Sequence, residues 1–335
     1  MPIAIVATVL VALALAVWAV GPARRRHLIQ EIAVIAPAWL AYFLIRGATE
    51  SDPDAAIARA RALAALERDL GIYIEGWLNE ALTRSEPLTT VANVVYIWGH
   101  WPLIFAVAIW LFWRHPKEFA RYKRAFLLSG AIGLTIFYVL PTAPPRLADQ
   151  DLFDTVTTYS NAYRVLQPPA LTNQYAAMPS LHVGWNLLIG IALARNAVAW
   201  PPRWLGWLSP LAMALAAVAT ANHFVLDIVA GVAVSMFALW VVTEREHASG
   251  RRRLAATEAD VTRASWLHRV IARSQQGGVP VGDDAVHPPA DELVEASPVV
   301  DRPAEQRRGE LAQSLDARGR EHSLVDGDAV RDPPP

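Results

Sequence analysis

The amino-acid sequence predicts an all-α protein, a polytopic membrane helix bundle of about six core spans with one further span at the N-terminus and an external amphipathic helical segment. Hydrophobic residues make up 54% of the 335 residues. They are gathered in blocks of about 17–25 residues, which is the length that a helix needs to cross a bilayer. The links between these blocks are rich in charged residues, which is typical of the loops of membrane proteins.

The first apolar block is interpreted as an uncleaved membrane anchor. Its basic cluster, Arg24 to Arg26, follows the apolar run, whereas the basic residues of a signal peptide precede it. In chain order the predicted spans cover residues 3–20, 31–46, 88–113, 124–141, 181–199, 204–220 and 224–243.

The distribution of Lys and Arg predicts the orientation of the chain. These residues are concentrated in every second link, and the other links carry fewer basic residues and more acids. Because basic links stay in the cytoplasm, we expect the N-terminus outside and the C-terminus inside, in the plasma membrane. The basic links contain Arg24 to Arg26; Arg114, Lys117, Arg121, Lys123 and Arg124; Arg195 and Arg203; and Arg245 and Arg251 to Arg253.

Two segments differ from the spans. Residues 51–87 are expected to form an external segment of one or two amphipathic helices, for which a role as a connector is favoured over a substrate gate. Residues 245–335 are rich in Arg, Glu, Asp, Pro and Gln, and they are predicted to be a disordered cytoplasmic tail that allows a short helix near residues 259–272. This leaves N-terminal spans within residues 1–50 and a main membrane domain at residues 88–244. The apolar positions at helical spacing in the external segment are Ile57, Leu63, Leu66 and Leu70.

The composition also excludes several kinds of chemistry. The chain has no cysteine, which excludes disulfides and thiolate catalysis. It contains no Gly-rich phosphate loop, no HExxH motif and no zinc-ligand spacing. We therefore expect no cofactor, no metal and no nucleic-acid partner.

His223 and Asp227 are ionisable residues at the start of an apolar segment. A charge in hydrocarbon costs several kcal/mol, so Asp227 is expected to face a partner or a wet cavity. At helical spacing the two side chains are neighbours. The carboxylate would then fix the tautomer of the imidazole and stabilise its cationic form, which prepares the far nitrogen as a nucleophile or base. The alternative is a polar pair that holds helices together.

Two further stretches contain polar groups beside predicted spans. In MPSLHVGWN, Ser180 is a good N-cap and His182 lies in the first turn, where free backbone N–H groups favour an anion. In YVLPTAPPR, a proline-rich exit presents Arg146, whose guanidinium suits phosphate oxygens. The alternatives are a capped helix start with an incidental histidine, and an arginine that anchors the chain at the interface.

The predicted topology places these groups at one membrane face. Arg146 ends the fourth span on the outside, His182 starts the fifth, and His223 with Asp227 starts the seventh. Two histidines, an acid and an arginine at a shared depth indicate phosphoryl chemistry, with a nucleophile, a proton donor and an anion clamp.

These motifs resemble the membrane-bound type 2 phosphatidic acid phosphatase superfamily over residues 60–243. The resemblance lies in PSLH, followed about forty residues later by H-x-x-x-D, and in APPR before them. The stretch YIWGHWP, Tyr96 to Pro102, is most similar to the branch with the inositol phosphorylceramide synthase (inositolphosphotransferase) domain.

The resemblance implies a role for each matching residue. His223 would attack phosphorus and form a phosphohistidine, and Asp227 would orient it. His182 would protonate the leaving oxygen. Arg146 would hold the phosphate, and Ser180 would add a hydroxyl or backbone donor.

Two phosphate-binding cations of the phosphatases are missing from this chain. Val139 stands where the phosphatases have a Lys. Ala217 stands where they have an Arg, and the synthase branch also lacks this Arg. Other groups that could neutralise the phosphate are His100, Tyr138, Tyr175 and Asn222.

We therefore expect a metal-independent lipid phosphotransferase or phosphatase at the extracytoplasmic face. Its partners would be membrane lipid, a phosphorylated lipid substrate and, for transfer, a polyol or lipid alcohol acceptor. One alternative is a transporter or lipid-binding protein that uses the same polar cluster. Another is a metal site formed by His182, His223 and Asp227.

Overall fold

The computed structural model describes residues 22–48, 52–149, 151–159 and 173–275. These residues form helices, and the only β-type pairing among them is an isolated bridge between Thr142 and Ala176. The all-α prediction is confirmed. The helices are α1 Pro22–Ala48, α2 Pro53–Asp69, α3 Glu75–Thr83, α4 Glu86–Trp98, α5 Trp101–Arg114, α6 Pro116–Val139, α7 Pro145–Ala148, α8 Thr155–Tyr159, α9 Leu181–Asn196, α10 Trp200–Ala219 and α11 Val225–Gln275.

Proline in the first turn marks the start of α2, α4, α5, α6, α7 and α10. Its fixed φ suits the helix, and its missing N–H is not needed at that position. At α2 the side chain of Asp52 also accepts hydrogen bonds from the N–H groups of Asp54 and Ala55. The helix boundaries are thus set by local sequence.

Helix α9 lies at the centre of the packing. It runs along α10 and also contacts α5 and α6, and most of its residues are buried. The approach to α10 is close because two glycines face each other, and a Cβ added to Gly190 would lie 2.3 Å from the carbonyl oxygen of Gly206. On the α6 side, Trp185 stacks on Phe126 with ring centroids 4.0 Å apart.

The N-terminus of α9 is pressed against the beginning of α11. A Cβ added to Gly231 would lie 2.1 Å from the carbonyl oxygen of Ser180, and one added to Gly184 would lie 2.6 Å from the carbonyl oxygen of Gly231. The backbone N–H of Ser180 donates a hydrogen bond to the carbonyl oxygen of Asp227 at 2.8 Å. Small residues therefore bring these two helix starts together.

The loop after α6 is tied to the loop before α9. The N–H of Thr142 donates to the carbonyl of Tyr175 at 2.7 Å, and the N–H of Ala177 donates to the carbonyl of Thr142 at 3.1 Å. Helix α2 holds the same loop from the other side, because the Nε of Arg59 donates to the carbonyl of Pro141 at 2.6 Å. The segments that carry Arg146 and Ser180 are thereby held side by side.

The predicted external segment forms α2 and α3, but the buried face of α2 differs from the predicted stripe. Its alanines, Ala56, Ala60 and Ala64, pack with Phe224 and Ala143, and Ile57 and Leu63 border this cluster. Leu66 and Leu70 are exposed. Alanine allows α2 to approach its neighbours closely, so small residues and not the large apolar ones define the contact.

Among the described residues, one helix, over Val225–Arg269, contains a stretch that is long and apolar enough to cross a membrane. Helices α4 and α5 form a second stretch of this kind only when they are taken together across their 45° bend. The number of core spans stays a prediction. Of the other predicted spans, 31–46, 124–141, 181–199 and 204–220 fall on α1, α6, α9 and α10, and 3–20 lies outside the described residues.

The chain divides into two compact units, one ending at Arg245 and the other beginning at Glu246. The described part of the second unit is helical as far as Gln275. The helix here is thus longer than the short one allowed near residues 259–272. Ala, Arg, Leu and Glu are frequent in this stretch and have high helix propensity. The predicted division of the chain into domains stays a prediction. Residues 276–335 lie outside the described residues.

Gly231→Ala is expected to destabilise the protein, because the new methyl group would collide with the backbone of Ser180. We expect a loss of about 1–3 kcal/mol in the free energy of unfolding, measured by chemical denaturation of the purified protein. Gly250→Ala is the matched control, because it lies on the same helix with open space around it. Equal stability of the two variants would show that the close approach at Gly231 is unimportant.

Candidate active site

His223 lies in the tight turn between α10 and α11. Ala221 adopts a left-handed backbone conformation there, with φ of 54°, and the N–H groups of Asn222 and His223 both donate to the carbonyl of Ala217. A left-handed alanine is strained, and such strain is often retained at functional sites. The turn buries His223 almost completely, with 4% of the residue exposed.

Asp227 faces His223, but not in the way that helical spacing predicts. His223 precedes the helix, whereas Asp227 is the third residue of α11. The Oδ2 of Asp227 accepts a hydrogen bond from the N–H of Phe224 at 2.9 Å and lies 3.5 Å from the Nδ1 of His223. The carboxylate therefore caps the helix start, as the third residue of a capping box does, and in that position it meets the imidazole. The opposite nitrogen of the ring, Nε2, faces away from the acid.

His182 is the second residue of α9 and faces His223. The centroids of the two imidazole rings are 5.8 Å apart. This proximity follows from the packing of the two helix starts, in which the N–H of Ser180 is bonded to the carbonyl of Asp227. The structure thus brings the two predicted histidines together at one end of α9 and α11.

Two rings, one from the end of α4 and one from the bend that follows it, enclose His182. Tyr96 stacks on it with ring centroids 4.8 Å apart, and the ring of His100 lies 4.6 Å away. The Nδ2 of Asn186 donates to the carbonyl of His182 and contacts the Nδ1 of His100, each at 2.8 Å. Because an amide nitrogen only donates, Nδ1 of His100 is the acceptor and its proton is on Nε2. His100, a predicted phosphate partner, thus packs on His182 and helps to orient it.

Arg146 is held beside the turn that carries His223. Its backbone N–H donates to the carbonyl of Ala221 at 3.1 Å, and its guanidinium donates to the side-chain oxygen of Asn222. Its Nε lies 3.1 Å from Oδ2 of Asp154, and its side chain is 11% exposed. Asn222 is anchored in turn by its Nδ2, which donates to the hydroxyl of Thr220 at 2.8 Å. Asn222, another predicted phosphate partner, therefore orients the guanidinium.

Ser180 occupies the N-cap position of α9, as predicted, but its hydroxyl makes no capping hydrogen bond. Its Oγ is fully buried and has no hydrogen-bond partner among the described residues. A buried polar group without a partner is costly, so this hydroxyl is available for a ligand.

The two remaining predicted phosphate partners are Tyr138 and Tyr175. Tyr138, on α6, is 70% exposed. Tyr175 packs against the cluster of α2 alanines and Phe224. Their predicted roles stay predictions.

Sequence reasoning missed Tyr96 and Asp154 as site residues. Tyr96 is four residues before His100 within the predicted span 88–113, and the helical spacing expected there could have indicated the pair. No local pattern distinguishes Asp154 from the other acids of its link. As for the metal alternative, no group of three His, Asp or Glu side chains in the described ranges is arranged to hold a metal ion.

A family model described as the PAP2 superfamily matches residues 61–241. The matched region contains every predicted site residue. The match is to the superfamily and does not distinguish the inositol phosphorylceramide synthase branch. No curated protein and no solved structure matches the chain.

Asn186→Ala is expected to lower the free energy of unfolding more than Asn196→Ala does. Both side chains donate to the carbonyl four residues earlier on α9, but only Asn186 also contacts His100. Its loss removes a hydrogen-bond partner of the buried His100 ring, which costs about 1–3 kcal/mol. Chemical denaturation measures the difference, and indistinguishable variants would contradict the proposed orientation of His100.

Proposed function

The chain belongs to the PAP2 superfamily, and on that premise we propose that it is an integral membrane phosphatase or phosphotransferase for lipid-linked phosphate that acts through a phosphohistidine. Membership of the superfamily indicates a phosphatase or phosphotransferase. The observation that supports the finer proposal is the meeting of His182 and His223, whose ring centroids are 5.8 Å apart, with Asp227 behind His223. Arg146 is bonded to the turn that carries the nucleophile.

In the first step Nε2 of His223 attacks the phosphorus of the substrate. The bond from phosphorus to the leaving oxygen breaks, and that oxygen takes a proton from His182. Asp227, 3.5 Å from Nδ1, stabilises the positive charge that the attacking ring acquires. The guanidinium of Arg146 and the unpartnered hydroxyl of Ser180 stabilise the phosphoryl oxygens.

In the second step water or an alcohol attacks the phosphohistidine. His182, now neutral, accepts the proton of the attacking hydroxyl, and the bond between His223 and phosphorus breaks. For a phosphomonoester substrate, water gives free phosphate and an alcohol gives a new phosphomonoester. For a phosphodiester substrate, water gives a phosphomonoester and an alcohol gives a new phosphodiester. Because the phosphorus is attacked twice in line, its configuration is retained.

A membrane location is supported by the apolar stretch of α11 and by the outer face of α10. Large apolar side chains on α10 are exposed, among them Trp204, Trp207, Leu211 and Leu215. Soluble proteins rarely expose a contiguous apolar face of this kind, whereas a lipid-facing helix requires one. We propose the plasma membrane as the location, and the charge distribution of the links supports an active site on its extracytoplasmic side.

Transfer to an alcohol is supported by the surroundings of His182. The stretch Tyr96 to Pro102 is similar to the synthase branch, and Tyr96 and His100 from this stretch pack on His182. Ala217 replaces the arginine of the phosphatases and is buried in the same cluster as Tyr96. These features support the proposal that the chain transfers phosphorylated groups to a polyol or a lipid hydroxyl.

His223→Ala is expected to reduce turnover of lipid phosphates at least about 10³-fold, because the nucleophile is lost. The assay supplies a panel of lipid phosphates and phospholipids, with and without inositol, and measures free phosphate and exchanged headgroups. With a ³²P-labelled substrate, the wild-type protein should acquire an acid-labile, base-stable label that the variant lacks. His247→Ala, at an exposed position of α11, is the control and should behave like wild type.

Retained turnover in folded His223→Ala would contradict the phosphohistidine mechanism. Specific binding or transport of a lipid without turnover in the wild type would instead support the non-enzymatic alternative.

A further inference from the structure

Two buried carboxyl groups meet at the N-terminus of α11. Glu67, near the end of α2, and Glu75, the first residue of α3, are both 0% exposed. Glutamate is almost never fully buried unless it has a specific partner. The mechanism above uses neither residue, so their burial requires another explanation.

Both carboxyls accept hydrogen bonds from the first turn of α11. The Oε1 of Glu75 accepts from the N–H of Val225 at 3.0 Å, and the Oε1 of Glu67 accepts from the N–H of Leu226 at 2.7 Å. Asp227 satisfies the preceding N–H group, that of Phe224. A helix leaves the backbone N–H groups of its first turn without partners in the helix. Here the N–H groups of Phe224, Val225 and Leu226 are bound by acids from α11, α3 and α2, respectively.

The second oxygens of the two glutamates have no donor among the described residues. Oε2 of Glu67 and Oε2 of Glu75 are both buried and unpartnered. Two ionised carboxylates would repel each other and also Asp227, whereas one proton shared between the glutamates removes the repulsion and satisfies both oxygens. Burial, hydrogen bonding to Glu75 and the charges of Glu75 and Asp227 raise the pKa of Glu67 to about 8.

We propose that Glu67 and Glu75, as a carboxyl pair sharing one proton, are positioning residues that hold the first turn of α11 and so place His223 against His182. The proposal rests on the proposed function. It gives the segment 51–87 a role beyond that of a connector, because the segment supplies both carboxyls. The pair touches neither substrate nor phosphorus and acts through the backbone of α11.

The charged groups that surround the pair decide the direction of its pH dependence. Asp227 is the acid on the α11 side, and it faces His223. No described cation is bonded to either glutamate, so deprotonation would add a second negative charge beside the acids already there. Other titratable groups lie on the side of α2 that packs against α7. Arg68, Tyr73 and Asp149 contact one another there. Arg146, on α7, is bound to Asp154.

The pair therefore stabilises the folded protein at low pH. The unfolded chain loses the proton near pH 4.5, the ordinary pKa of Glu, whereas the folded protein keeps it up to a pKa of about 8. Between these values the folded protein holds the extra proton, so stability from this source falls as pH rises and is lost above pH 8. Turnover should fall over the alkaline part of the same range, since the repelling carboxylates displace the first turn of α11.

The test compares Glu67→Gln with Glu67→Ala. The amide of Gln still accepts from Leu226 and permanently donates to Glu75, so it mimics the protonated acid. We expect Glu67→Gln to keep turnover within a few-fold at pH 6.5, to lose the fall in turnover near pH 8 and to have a thermal midpoint that depends less on pH. Glu67→Ala should lose about 100-fold in kcat, because small displacements of catalytic groups have effects of this size.

The matched control is Glu80→Gln, which changes an exposed carboxyl on α3 that pairs with Arg84. This variant should follow wild type in turnover and in thermal midpoint at every pH. The midpoints are measured without substrate, so they test the carboxyl pair even if wild type turns over no lipid phosphate, a result that would contradict only the proposed function. The inference is overturned if Glu67→Gln and wild type share the same pH dependence of the midpoint, or if Glu67→Ala retains full turnover.

Discussion

The contact between the first turns of α9 and α11 is the constraint on which the candidate site depends. The N–H of Ser180 bonds to the carbonyl of Asp227, and Gly231 leaves room for the carbonyl of Ser180. Both helices begin at this contact, so their positive dipole ends meet at one place. His182 and His223 are each within two residues of a helix start, which explains why their rings meet. An anionic phosphate is favoured at the same place.

Carboxylates hold both the guanidinium of Arg146 and the first turn of α11 in place. Asp154 and the amide of Asn222 hold the guanidinium of Arg146, and Glu67 and Glu75 hold the start of α11. Carboxylates repel a phosphate, but these acids are bonded to backbone N–H groups or to Arg146. These contacts fix the positions of groups that face the substrate.

The sequence predicted the helical class, and it singled out the residues that meet at the candidate site, because those signals are local. A proline or a capping residue marks a helix start, and His182, His223 and Asp227 stand beside such starts. The buried face of α2 was not predictable in the same way. Leu66 and Leu70 indicated the wrong face, since the choice of the alanine face depends on the loop and turn that pack against it. Glu67 and Glu75 appeared to be ordinary acids of an amphipathic segment, because burial is a property of the tertiary packing.

The central claim is that one phosphate can contact His182, His223 and Arg146 together. An experimental structure with bound orthovanadate, which resembles a phosphoryl group during transfer, tests this claim most directly. The account predicts vanadium at bonding distance from Nε2 of His223, with oxygens contacted by Arg146 and His182. Vanadate bound away from His223, or bound there with Arg146 and His182 out of reach, would contradict it.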